Sequence, residues 1–79
     1  MQREGAVRCD AEGVIVVTQE DRFRLQTADG RSLLFILDDG TGMERVAALA
    51  AARRPVAVCY RGEPEAGAVA TRVRPMAKN

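Results

Sequence analysis

One stretch of the sequence, residues 22–37, restricts the fold more than any other. Apolar and polar residues alternate strictly from Arg22 to Gln26, with a period of two, and this is the pattern of a strand with one face in a core and one in water. Asp29-Gly30 follows, and glycine accepts the positive φ that a tight hairpin turn requires. Residues 32–37 are apolar apart from Ser32, so they form the returning strand of a predicted β-hairpin.

The length of the hairpin loop decides which side chains face outward. A three-residue loop at 28–30 buries Phe35 opposite Phe23 and leaves Ser32, Leu34 and Ile36 outside. A two-residue loop at 29–30 shifts the pairing by one residue and exchanges the two faces of the strand, which leaves Leu33, Phe35 and Leu37 outside. We expect the three-residue loop, because it exposes less apolar area. With either loop, these apolar groups lie beside the outer residues of the first hairpin strand, Arg22, Arg24 and Gln26.

Four other segments complete the predicted topology. The β-branched run 13–18 indicates a strand that is buried on both sides or bulged midway, and residues 6–10 extend it backward. Residues 43–52 carry apolar residues at helical spacing, and Pro55 ends that helix. Strands follow at 55–61 and 68–74. In the last strand the alternation sets Val69, Thr71 and Val73 against Ala68, Ala70, Arg72 and Arg74.

The order β-β-β-α-β-β predicts an all-β fold with one helix, namely a five-stranded OB-fold-like Greek-key barrel. Four segments carry a resemblance that covers roughly residues 12–74: Glu12-Gly13-Val14-Ile15-Val16, Phe23-Arg24-Leu25, Ala28-Asp29-Gly30 and Val56-Ala57-Val58. In their general rhythm they resemble small bacterial OB-fold proteins such as translation initiation factor one and the cold-shock proteins. The chain lacks the ribosome-binding loop of the former and the aromatic, Lys-rich surface of the latter. The resemblance therefore implies the fold and no functional residue.

The length of 79 residues allows one small domain, predicted at 6–75 between tails at 1–5 and 76–79. The first residues contain no apolar segment typical of a signal peptide, and no run reaches the roughly 18 apolar residues of a membrane helix. A cytoplasmic protein without a membrane partner is expected. With 12 basic and 11 acidic residues, binding through bulk positive charge is excluded.

The sequence offers little for catalysis. It has no histidine, which is the commonest general base and the usual partner of a nucleophile, so we expect no enzyme activity and no cofactor. Cys9 and Cys59 form no metal-binding motif, and we expect no metal. A structural disulfide is not expected in a cytoplasmic protein, although a transient one could form if the two strands are neighbours.

The candidate binding residues lie on the outer face of the hairpin and on the last two strands: Arg22, Arg24, Gln26, Leu34, Ile36, Arg61, Arg72 and Arg74. Strands two and three form the ligand-binding face of OB-folds. An outward aliphatic patch fringed by arginine suits a protein partner or a homodimer, whereas an outward Phe35 would suit single-stranded nucleic acid. In a third interpretation, the arginine stems simply cover the apolar groups. The leading prediction is a non-catalytic protein-interaction module or accessory subunit, and the alternative is a weak, sequence-tolerant binder of single-stranded nucleic acid.

Overall fold

The computed structural model describes residues 6–37 and 42–76 of the chain. Five strands and one helix follow one another in the predicted order: β1 Arg8–Gln19, β2 Arg22–Gln26, β3 Ser32–Leu37, α1 Met43–Ala51, β4 Pro55–Glu63 and β5 Gly67–Pro75. The predicted tails lie outside the described residues, except for Met76, whose N–H donates to the carbonyl of Pro55 at 2.9 Å. The single helix in the described ranges, nine residues long, is too short to cross a membrane.

The five strands form one closed sheet in the order β1-β2-β3-β5-β4, in which β4 also pairs with β1. The pairing of β3 with β5 is parallel, and the other four pairings are antiparallel. Closure satisfies the backbone groups that an open sheet would leave exposed at its edges. The β-rich class with one helix is therefore confirmed.

The hairpin has the expected three-residue loop. The N–H of Thr27 donates to the carbonyl of Arg31 at 2.9 Å, and the N–H of Gly30 donates to the carbonyl of Thr27 at 3.0 Å. Gly30 has a φ of 90°, a conformation that residues with a Cβ atom rarely adopt. Phe23 is consequently paired with Phe35, and both rings are buried.

The core is built on aromatic contacts inside the closed sheet. The rings of Phe23 and Phe35 are 5.4 Å apart, and Tyr60 of β4 lies 5.5 Å from Phe35. Helix α1 contributes Val46, which is fully buried, while three partly buried residues of the helix pack against the core, Met43, Leu49 and Ala50. The predicted apolar stripe of the helix is thus the side that faces the sheet.

Two β-bulges change the direction of side chains along their strands. In β1 the register shifts between Ile15 and Val17, which confirms the bulged alternative and leaves Val16 and Val17 about half exposed. In β5 the register shifts at Thr71. Because one extra residue exchanges the faces of a strand, the predicted alternation of β5 is wrong over its first half. Ala68 and Ala70 are buried there, while Val69 is only partly buried.

Gly13 lies where β1 passes very close to the backbone of β2. A Cβ atom at this position would lie 2.8 Å from the carbonyl carbon of Gln26 and 3.1 Å from the Cα atom of Thr27. Backbone atoms in a paired strand cannot turn aside as the end of a side chain can. The closeness of the two strands at this point therefore depends on glycine.

We expect Gly13→Ala to lower the free energy of unfolding by about 3 kcal/mol, because a methyl group would be forced against backbone atoms. Gly42→Ala is the matched control, since a Cβ atom at Gly42 meets nothing within 4 Å and its cost at the helix start is at most about 1 kcal/mol. Urea unfolding followed by circular dichroism measures both. Equal losses in the two variants would contradict the close approach at Gly13.

A disulfide joins Cys9 of β1 to Cys59 of β4, across a sequence separation of 50 residues. The sequence allows a disulfide if the two strands are neighbours, and this condition is met. The reason is topological: closure of the sheet makes β1 and β4 direct neighbours, with the two Cα atoms 3.9 Å apart. Spacing along the sequence does not reveal this neighbourhood.

Replacing both cysteines with serine should lower the free energy of unfolding by up to about 4 kcal/mol, because a cross-link that closes a loop of this length restricts the unfolded chain. The measurement is urea unfolding of the oxidised wild type, the reduced wild type and the Cys9→Ser/Cys59→Ser variant. The two forms without the bond should have the same, lower midpoint. A midpoint that does not change on reduction would show that the bond contributes no stability.

Candidate functional site

The outward side chains of β2 and β3 form one continuous surface, here termed the hairpin face: Arg22, Arg24, Gln26, Ser32, Leu34 and Ile36. Cross-strand pairing arranges them in rows. Gln26 lies opposite Ser32, Arg24 opposite Leu34, and Arg22 opposite Ile36. All five of the hairpin residues predicted as binding residues are thus brought together on one side of the sheet.

Neighbouring strands extend the two outer rows. Val17 of β1 pairs with Arg24, so that one row reads Val17, Arg24, Leu34. The other row has one residue from each of the five strands and reads Gln19, Arg22, Ile36, Val69, Arg61. Val17 and Val69 were not among the predicted site residues. The first could have been suspected from the uninterrupted apolar run in β1, which is too long for a simple alternation.

The centre of this surface is apolar and only partly covered. Leu34 and Ile36 are half-buried, Val69 is half-buried, and Val17 is 48% exposed. A shallow groove of about 210 Å³ runs between β1 and β3, with Arg24 and Leu34 among its walls. An aliphatic strip open to solvent in this way is a surface that a partner can cover.

The loop between β4 and β5 borders the hairpin face at Leu34. The N–H of Leu34 donates to the carbonyl of Pro64 at 2.8 Å. A Cβ atom on Gly67, at the start of β5, would be in van der Waals contact with Leu34 at 3.8 Å. Leu34 is therefore held from one side by the chain itself, and its other side remains accessible.

The arginines around the strip differ in their partners. Arg22 forms an exposed ion pair with the neighbouring Asp21 at 3.3 Å. Among the described residues, the partner of Arg24 is the hydroxyl of Ser32, to which it donates a long hydrogen bond of 3.5 Å. Within residues 6–37 and 42–76, no carboxylate lies within 4 Å of the guanidinium groups of Arg24 and Arg61. Among the described residues, the charges of Arg24 and Arg61 are therefore not neutralised by an ion pair.

Arg61 has a further unpaired group. Its Nε atom is buried and has no hydrogen-bond partner among the described residues, although the residue as a whole is only half-buried. Buried donors in native proteins are almost always paired, and an unpaired one lowers stability. The end of the long row thus carries a buried donor that could be paired only if the Arg61 side chain turned outward.

Arg72 and Arg74 lie on another part of the sheet. Beyond the bulge at Thr71, Arg72 is opposite Cys59 and Arg74 is opposite Ala57. Both side chains are exposed. Arg61 therefore joins the rows of the hairpin face, whereas Arg72 and Arg74 occupy the β4–β5 surface next to the disulfide.

The three aromatic residues of the chain are all buried. Phe23, Phe35 and Tyr60 have at most 4% of their surface exposed, and the sequence contains no other aromatic residue. The arrangement in which Phe35 would face outward is excluded by the hairpin register. The outer surface consequently has no ring on which a nucleic-acid base could stack.

A polar cluster joins the first part of β1 to β4. The hydroxyl of Tyr60 donates to a carboxylate oxygen of Asp10 at 2.5 Å, and Arg8 forms an ion pair with the same carboxylate at 3.3 Å. The hydrogen bond from Tyr60, aided by the charge of Arg8, lowers the pKa of Asp10 below its ordinary value. Burial, followed by the hydrogen bond to Asp10, raises the pKa of Tyr60. No sequence pattern indicated this cluster, because it joins residues 50 positions apart.

No protein-family model, curated protein or solved structure significantly matches the chain. In the described part of the chain, no three His, Cys, Asp or Glu residues come together in a way that could hold a metal ion.

Proposed function

We propose that this protein is a small OB-like barrel that works by binding, and that the hairpin face contacts another protein or a second copy of the chain. The supporting observation is the hairpin register, in which Leu34 and Ile36 face outward. Val69 joins them from β5. Apolar groups surrounded by arginine are typical of the centre and rim of protein interfaces.

We propose that the protein has no catalytic role and acts as an interaction module or an accessory subunit. The sequence has no histidine, and the titratable groups whose pKa values shift are paired with ordinary neighbours: Asp10 with Tyr60 and Asp29 with Thr27 and Arg31. Such pairs are typical of surface structure. The proposed barrel supplies a rigid support, and the outer surface supplies the contact.

Replacing Leu34 with Gln and Ile36 with Thr should abolish the contact, because the apolar centre of an interface carries most of its binding energy. Threonine retains the β-branched shape that suits a strand, and the wild-type circular dichroism spectrum should be preserved. The measurements are sedimentation velocity for self-association and affinity capture with tagged domain for a foreign partner.

Val16→Thr is the matched control, since Val16 is an exposed apolar residue in the bulge of β1 beside helix α1. It should behave as the wild type in both measurements. If the folded double variant self-associates and captures partners as the wild type does, the hairpin face is not the contact surface.

A second candidate function is the binding of single-stranded nucleic acid. It is supported by four arginines that have no carboxylate within 4 Å in the described ranges, Arg24, Arg61, Arg72 and Arg74. Guanidinium groups pair well with phosphates. The buried aromatic rings make this the weaker candidate, because base stacking supplies much of the affinity of such proteins.

The nucleic-acid alternative predicts that a fluorescein-labelled (dT)12 oligonucleotide binds at low salt and dissociates as salt rises. Each released counterion steepens that dependence, so four phosphate contacts would lower the affinity by roughly two orders of magnitude or more for each tenfold rise in salt. Fluorescence anisotropy is the measurement, and the Arg72→Gln/Arg74→Gln variant tests whether the β4–β5 surface takes part. An unchanged anisotropy at 20 μM protein and about 20 mM salt would eliminate this function.

A further inference from the structure

We propose that the partner of the hairpin face is an acidic, aliphatic protein segment, and that its carboxylates bind Arg24 and Arg61 on opposite sides of the strip formed by Leu34, Ile36 and Val69. This inference rests on the proposed protein-binding function and adds the chemistry of the partner.

The positions of the charges come from the strand order. Arg22 and Arg24 lie on β2, the aliphatic strip lies on β3 and β5, and Arg61 lies on β4. Neighbouring strands are about 4.8 Å apart, and residues along a strand are about 3.4 Å apart. Arg24 and Arg61 are three strand spacings apart and offset by two residues, so their backbones are separated by about 16 Å along the sheet. A segment that crosses the strip therefore meets a guanidinium group at each side and only aliphatic side chains between them.

Arg24 and Arg61 are available to bind an anion from outside, because neither has a carboxylate partner among the described residues. Arg24 is exposed and has no carboxylate partner in the part of the chain that the structure describes. Arg61 has a buried Nε atom without an acceptor. When the half-buried Arg61 side chain turns outward, a carboxylate can accept from Nε and from a terminal nitrogen at once, which gives a bidentate pair and satisfies the unpaired donor.

The apolar strip selects the rest of the partner. Its accessible residues are Leu34, Ile36, Val69 and, in the adjoining row, Val17. Nucleic acid offers such a strip only sugar carbons and thymine methyl groups, and this surface offers no aromatic ring to its bases. A peptide segment with carboxylates at both ends of an aliphatic stretch matches both the charges and the strip.

The spacing of the carboxylates follows from the geometry. Residues five positions apart in an extended chain are separated by about 16 Å, close to the separation between Arg24 and Arg61. The expected pattern is therefore an Asp or Glu, four residues that include Val, Ile or Leu, and a second Asp or Glu.

The test begins with selection of peptides from a random 12-residue phage library on the oxidised wild-type protein. A selected peptide is then synthesised, labelled with fluorescein and titrated by anisotropy. We expect enrichment of the acidic–aliphatic pattern and a loss of affinity of about tenfold or more on Arg24→Gln and on Arg61→Gln, the scale of a lost charge-assisted hydrogen bond. Replacing the two acidic residues of the peptide with their amides should have a similar effect.

Arg45→Gln is the matched control, because Arg45 is an exposed arginine on α1, outside the hairpin face, and it should leave the affinity unchanged. Arg24→Lys keeps the charge but removes the fork-shaped donor, so it should recover only part of the affinity. Circular dichroism of every variant establishes that the fold is retained. Arg24 is exposed, so its variants keep the test valid even if Arg61→Gln fails to fold.

Three outcomes separate this inference from the function on which it rests. If selected peptides depend on Leu34 and Ile36 but are neutral or basic, or bind Arg24→Gln and Arg61→Gln normally, the inference is wrong and the contact face stands. If selected peptides bind the Leu34→Gln/Ile36→Thr variant as tightly as the wild type, both are wrong. A third result would assign the face to nucleic acid instead: an excess of (dT)12 displaces the peptide from the wild type, and (dT)12 itself no longer binds Arg24→Gln or Arg61→Gln.

Discussion

The contact between Phe23 and Phe35 determines what the rest of the domain presents to its surroundings. With the two rings stacked in the core, every second residue of β3 faces inward, and Leu34 and Ile36 must face outward. Gly30 makes this register possible, because its positive φ lets the chain reverse over three residues. A loop one residue shorter would have put an aromatic ring on the surface and aliphatic groups in the core. The three-residue turn at 28–30 thus decides that the hairpin face carries aliphatic groups and no aromatic ring.

The parts of the fold that depend on local pattern were predictable. The alternation around Phe23 and Leu25 and the turn residues before Arg31 predict the hairpin, and the smaller exposed apolar area favours the register that the structure has. Helical spacing identifies Val46 as part of the buried side of α1. The five hairpin residues of the candidate site follow from the same pattern. Local patterns suffice here because a hairpin and a short helix are both specified by neighbours in sequence.

The features that were missed arise from contacts between distant segments. Val69 faces outward because the pairing of β5 with β4 absorbs an extra residue at Thr71, and only the register of both strands reveals this. The disulfide depends on β4 lying next to β1, which follows from closure of the sheet.

The disulfide also divides the chain into a cross-linked ring and the segments outside it, which would respond differently to a pulling force. The covalent ring from Cys9 to Cys59 contains the hairpin and the helix, and of the five strands only β5 lies wholly outside it. A pulling force applied to the two ends of the chain would be carried across the ring by the sulfur bridge, and it would strain β5 first. Detachment of β5 would remove Val69 from beside Ile36 while the ring kept the hairpin closed. Tension on this domain would thus alter the contact surface before it unravelled the part that supports it.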